Sequence, residues 1–145
     1  MSSVSTSRTI NAPVDRVFET IARIENFSQA IEHITNVEFL TEQKHGVGTR
    51  FRETRLMNGK EQSVELEVTE YAENDRVRLV SDAGGTIWDT VFTVSEQEGG
   101  TLLTMHMDAK AYKLLARLMN PMIMGMVRKA VEKDMDAVKA HCEKA

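Results

Sequence analysis

Glu53 and Arg55 stand two residues apart in the run TRFRETRLM, where the other members of the same alternating set, Phe51 and Met57, are apolar. Alternate residues of a strand share one face, so both charges point with Phe51 toward the interior. A buried charge is strongly unfavourable unless it is paired or hydrogen-bonded. The pair is therefore either a structural ion pair or a device that orients a polar group of a ligand. A desolvated, unpaired Glu53 would have a raised pKa and could carry a proton, which makes it the one weak catalytic candidate. Asp134 is a third charge out of place. At about 100° per residue it falls within about 20° of Ile123 on a helical wheel, inside the apolar face of the C-terminal segment. A helix-to-sheet salt bridge is the expectation, with Arg55 as first partner.

Methionine supplies the second chemical signal. Met57, Met105, Met107, Met119, Met122 and Met126 accompany aromatic residues on faces read as inward. Flexible thioethers either fill an irregular core or line a cavity that adapts to apolar shapes. In TIWDTVFTV, Trp88, Phe92 and Val94 share the bulkier face. The expected ligand-binding lining is thus Phe51, Glu53, Arg55, Met57, Leu66, Trp88, Phe92, Met105, Met107, Met119, Met122, Met126 and Asp134. His33, His45, His106 and His141 are far apart, without ligand spacing, so no metal is expected. Gly46-Val47-Gly48 reads as a turn and not a dinucleotide loop, and no cofactor is expected. Cys142 reads as inert packing.

The elements that must position these residues follow from local signals. Val4 to Ile10 alternates as a strand, and Asn11-Ala12-Pro13 then starts a helix carrying Val14, Val17, Phe18 and Ile21 at helical spacing. Phe27, Ile31 and Ile34 suggest a second short helix. Asn58-Gly59 predicts a two-residue type I′ hairpin, because both positions tolerate positive φ. It sets Met57 opposite Lys60, Arg55 opposite Gln62, Glu53 opposite Val64 and Phe51 opposite Leu66. A later turn pairs Val68 with Leu79 and sends Tyr71, Arg76 and Arg78 outward. Glu98-Gly99-Gly100 turns into TLLTMHMDA, with Leu103, Met105 and Met107 alternating. A short helix from Tyr112 to Met119 is expected to stop at Asn120, which would cap a long helix beginning at Pro121.

At 145 residues the chain is expected to form one domain, residues 1–145. Its 18 basic residues against 22 acidic ones are dispersed, which argues against nucleic acid. No run approaches the ~18 apolar residues of a membrane span, and MSSVSTSRTINAP lacks the apolar core of a signal peptide. With a single cysteine, a cytoplasmic location is expected.

The order of strand, two short helices, six strands and a long terminal helix resembles the START-like, or helix-grip, superfamily of polyketide cyclases/dehydrases and birch-pollen-type allergens. INAPVDRVFETIARIENF, GVGTRF, the Trp88 strand and the terminal helix near Cys142-Glu143 carry the resemblance, which spans the whole chain. It implies an α+β fold: a curved seven-stranded antiparallel sheet gripping one long C-terminal helix, with two short helices after strand 1 and a cavity between sheet and helix. It transfers no catalytic residue. The leading expectation is a binding protein for a small, largely apolar molecule, lipid or polyketide-like. The alternatives are a cyclase/dehydratase using Glu53 for proton transfer and a protein-interaction module of co-chaperone type, for which an exposed apolar patch would speak.

Overall fold

The computed structural model describes residues 2–144. The elements run β1 (Ser2–Ile10), α1 (Val14–Ala22), α2 (Ile24–Ala30), β2 (Ile34–Phe39), β3 (Arg50–Met57), β4 (Lys60–Ala72), β5 (Arg76–Ala83), β6 (Thr86–Gln97), β7 (Gly100–Ala111) and α3 (Leu114–Glu143). The strands form a single seven-stranded antiparallel sheet in the order β1-β7-β6-β5-β4-β3-β2. Strands β2 to β7 pair with their sequence neighbours, and β1 closes the far side against β7. The α+β helix-grip architecture is the one expected, with α3 gripped by the curved sheet and α1 and α2 inserted after β1.

Local chemistry explains the register. Asn58 and Gly59 sit at φ 52° and 77°, as a type I′ turn requires, and the pairs Met57–Lys60, Arg55–Gln62, Glu53–Val64 and Phe51–Leu66 all form. The tip of this hairpin projects past the helix, which leaves Met57 half-buried and Val64 exposed, while Phe51 and Val68 are buried. Tyr71 departs from expectation. The β4–β5 register shifts between Val68 and Glu70, and one extra residue turns every later side chain to the other face. Tyr71 therefore faces inward opposite Val77 and stacks edge-on against Phe18, with ring centroids 5.4 Å apart. Arg78 stays outside, bonded to Glu70 and Asp89. Gly100, after the β6–β7 turn, lies where a Cβ would come within 2.1 Å of the Ile10 carbonyl oxygen. Only hydrogen fits there.

The C-terminal region corrects the expected break at Asn120. One 30-residue helix runs through Pro121. Proline removes the bond its N–H would give to the carbonyl four residues back, but Arg117 and Pro121 are both exposed and water can serve that carbonyl. The Asn120 side chain does not cap; its amide donates to Ser2 Oγ at 2.6 Å, tying α3 to β1. The line of α3 against the sheet is Ala116, Met124, Val131, Met135, Val138 and Cys142. Met119, Met122 and Met126, expected inside, lie on the opposite, exposed face. The N-terminal half of the helix is apolar all round, so periodicity there does not say which side meets the sheet.

Candidate functional site

Between the sheet and α3, closed at the side by α1 and α2, lies a cavity of about 130 Å³. Strands β3 to β7 provide its floor, because the inward positions of successive antiparallel strands come into line: Phe51 beside Leu66, Val77 beside Phe92, and Phe92 beside Met105. Ile21, Ala22, Ile24 and Phe27 wall one side, and Val131 and Met135 of α3 form the roof. Phe27 meets Phe92 edge-on at 6.0 Å between centroids. For scale, a dry apolar cavity of about 150 Å³ accepts a benzene ring.

Among the residues expected to line it, the structure brings together Phe51, Glu53, Arg55, Leu66, Phe92, Met105, Met107 and Asp134. Met57, at the hairpin tip, and Met119, Met122 and Met126, on the outer helix face, are not part of the wall. Neither is Trp88. It shares the inward face with Phe92 but lies toward the β5–β6 turn, where its indole N–H reaches the Ala83 carbonyl at 3.4 Å. The sequence reading missed the contributions of Ile21, Ala22, Ile24, Phe27, Val77, Leu79, Thr90, Val131 and Met135. The helical spacing of Ile21 and the Val68–Leu79 pairing were legible signals for two of these. That α1 and α2 cover the flank of the sheet was not.

The polar end of the cavity is a triad. Arg55 Nε donates to Glu53 Oε1 at 2.6 Å, and Arg55 Nη1 reaches both Asp134 oxygens at 2.9 and 3.1 Å. His33 Nε2 lies 3.9 Å from Asp134 Oδ1. Arg55 is thus shared, and the two expected pairings coexist on one guanidinium. Burial raises the Asp134 pKa above the ordinary carboxylate range; Arg55 pulls it back and the Glu53 charge pushes it further up. Burial also works against the Arg55 charge, but the two carboxylates more than offset it and hold its pKa above the usual value. Two carboxyl groups thus share one guanidinium at the wall, with the His33 imidazole beside Asp134. Arg55 Nη2 and Glu53 Oε2 have no hydrogen-bond partner among the described residues. They leave one donor and one acceptor for a guest. Among the described residues no group of three or more His, Cys, Asp or Glu side chains is placed to hold a metal ion.

A curved antiparallel sheet gripping one long helix over an apolar hollow defines a helix-grip protein of ligand-binding or polyketide cyclase type. Residues 1–143 match the family described as polyketide cyclase / dehydrase and lipid transport, and the chain belongs to that family. Solved structures share the fold. The di-domain ARO/CYC BexL from the BE-7585A biosynthetic pathway superposes with a TM-score of 0.81 at 12% identity, over 99% of this chain and 50% of that one. A START superfamily protein from Mycobacterium smegmatis gives 0.79 at 16% identity, with 97% of each chain covered. Ara h 8.0201 gives 0.78 at 15% identity, again over 97% of each. At these identities the likeness is one of fold alone. No curated protein matches the chain in sequence.

Proposed function

We propose that the protein binds a small, largely apolar molecule in the cavity between the sheet and α3. The observation that supports this most directly is the ring-sized apolar hollow ending in a shared-arginine triad with one unused acceptor and one unused donor. Two carboxyl groups around one guanidinium in a low-dielectric wall disfavour a third carboxylate and favour a hydrogen-bond donor, so the guest's polar group is a hydroxyl or an amine. Removing about 150 Å² of apolar ligand surface from water supplies about 4 kcal/mol, close to millimolar binding when taken alone. Tighter binding therefore needs a molecule whose ring fills the hollow and whose remainder extends outside it.

The test is thermal shift with matched ring compounds, beside mass spectrometry of denatured protein for molecules that co-purify. An alkylphenol should raise the melting temperature and the corresponding alkylbenzoate should not. In Asp134→Asn one of the two carboxyl groups is gone, and the benzoate should gain. Absence of any shift from apolar ring compounds, or a preference of the native protein for the benzoate, refutes the reading. A second reading, proton transfer in a cyclase or dehydratase reaction, is favoured by the raised pKa of Asp134 beside the hollow. Arg55 holds both carboxyl groups, and Asp134 is the one whose pKa burial raises, which makes it the proton carrier of this reading. Asp134→Asn would then abolish turnover of a polyketide-like substrate while sparing its binding.

A further inference from the structure

The outer face of the first half of α3 has no counterpart inside the fold. Leu114, Leu115, Leu118, Met119, Met122 and Met126 are between 40% and 75% exposed. At ~100° per residue they gather into one stripe nearly opposite Ala116, Met124 and Val131, which pack on the sheet. Leaving six large apolar side chains in water is unfavourable, and a contiguous exposed patch of this kind marks a surface that meets something apolar.

Charge says what that is. Residues 109–131 contain Lys110, Lys113, Arg117, Arg128 and Lys129 and no acidic residue, in a chain of net charge −4. None of the five takes part in an ion pair among the described residues, whereas Arg8, Arg52, Arg55, Arg76 and Arg78 are each bonded to carboxylates. Lys129 falls within the stripe and Arg128 about 40° from its edge, whereas Lys113, packed over Gly85, and Arg117, whose Nε donates to the Ala111 carbonyl at 3.2 Å, lie toward the sheet side at the start of the helix. Asp82 on β5 accepts from the Tyr112 hydroxyl, and Glu132 and Asp136, further along α3, hold Arg8, with Glu132 also feeling the charge of Arg128.

From this pattern we propose that the stripe is a docking surface for an anionic lipid bilayer. The apolar side chains enter the boundary between headgroups and acyl chains while the cations meet lipid phosphates. The helix lies in the interface and does not cross it, since no helix among the described residues is long and apolar enough to span. A second copy of the chain fits less well. A symmetric contact through this face would set each cationic cluster against its own duplicate. The inference stands apart from the cavity reading, because none of the stripe residues lines the cavity.

Sedimentation with vesicles tests it. The protein should pellet with phosphatidylcholine vesicles containing phosphatidylglycerol, should stay in solution with phosphatidylcholine alone, and should release as salt is raised. Leu118→Gln with Met122→Gln, and separately Arg128→Glu with Lys129→Glu, should each reduce binding at least about tenfold. All four positions are exposed, so an unchanged melting temperature will show that the variants fold. Failure to pellet with the anionic vesicles, equal binding to both vesicle types, or undiminished binding by the two double variants overturns the proposal. So does self-association of the native chain that the leucine and methionine changes abolish, which would assign the face to a second copy.

Discussion

Replacing Arg55 with methionine removes the guanidinium that holds Glu53 and Asp134 together while keeping an unbranched apolar stem. Both carboxylates are largely buried, with side chains 10% and 17% exposed. In the native protein the guanidinium meets them at 2.6 and 2.9 Å. Without it, two like charges share a low-dielectric wall, and the least unfavourable response is for one of them to take a proton. Holding a carboxyl of ordinary pKa ~4 neutral at pH 7 costs about 1.36 kcal/mol for each of about three units, or about 4 kcal/mol. That agrees with the ~3–5 kcal/mol typical of breaking a buried pair by removing one partner. The sign follows from linkage. The folded pKa of the surviving acid lies above its unfolded value, so stability is full below about pH 4 and is lost as pH rises toward the folded pKa. The deficit of Arg55→Met should therefore shrink from about 4 kcal/mol at pH 7 to about 1–2 kcal/mol at pH 5. Urea unfolding of native and variant protein at the two pH values measures it. A deficit below about 1 kcal/mol at pH 7, or one that does not change with pH, refutes the triad as the basis of the argument.

The backbone contact at Gly100 makes a second prediction. Gly100→Ala must push β7 away from Ile10, and the forced shift should cost about 1–3 kcal/mol by urea unfolding. Cys142 is fully buried at the C-terminal end of the packed face of α3, and burial pushes its thiol pKa up. Its reaction with a thiol reagent at neutral pH should be negligible in the native state and should track unfolding. Rapid labelling under native conditions would show that the end of α3 opens locally.

Much of this protein is legible in its sequence, for identifiable reasons. Asn58-Gly59 determines a hairpin and its register because few dipeptides accept positive φ twice, and that register alone predicts Phe51, Glu53, Arg55 and Leu66 on one face. Asp134 declares itself because a charge inside an apolar helical face must find a partner. Other features were decided only by tertiary structure. A one-residue bulge after Val68 reverses Tyr71, and no local signal marks it, since its stabilisation comes from Phe18 on a distant helix. Pro121 continues α3 along a stretch where Arg117 and Pro121 are both exposed, which depends on which side of the helix the sheet covers. The same choice of side moves Met119, Met122 and Met126 out of the cavity wall and brings Met124 and Met135 inward. Where a helix is apolar all round, periodicity has no preferred direction. Only the shape of the sheet beneath it selects which side chains are buried and which are left to face the solvent.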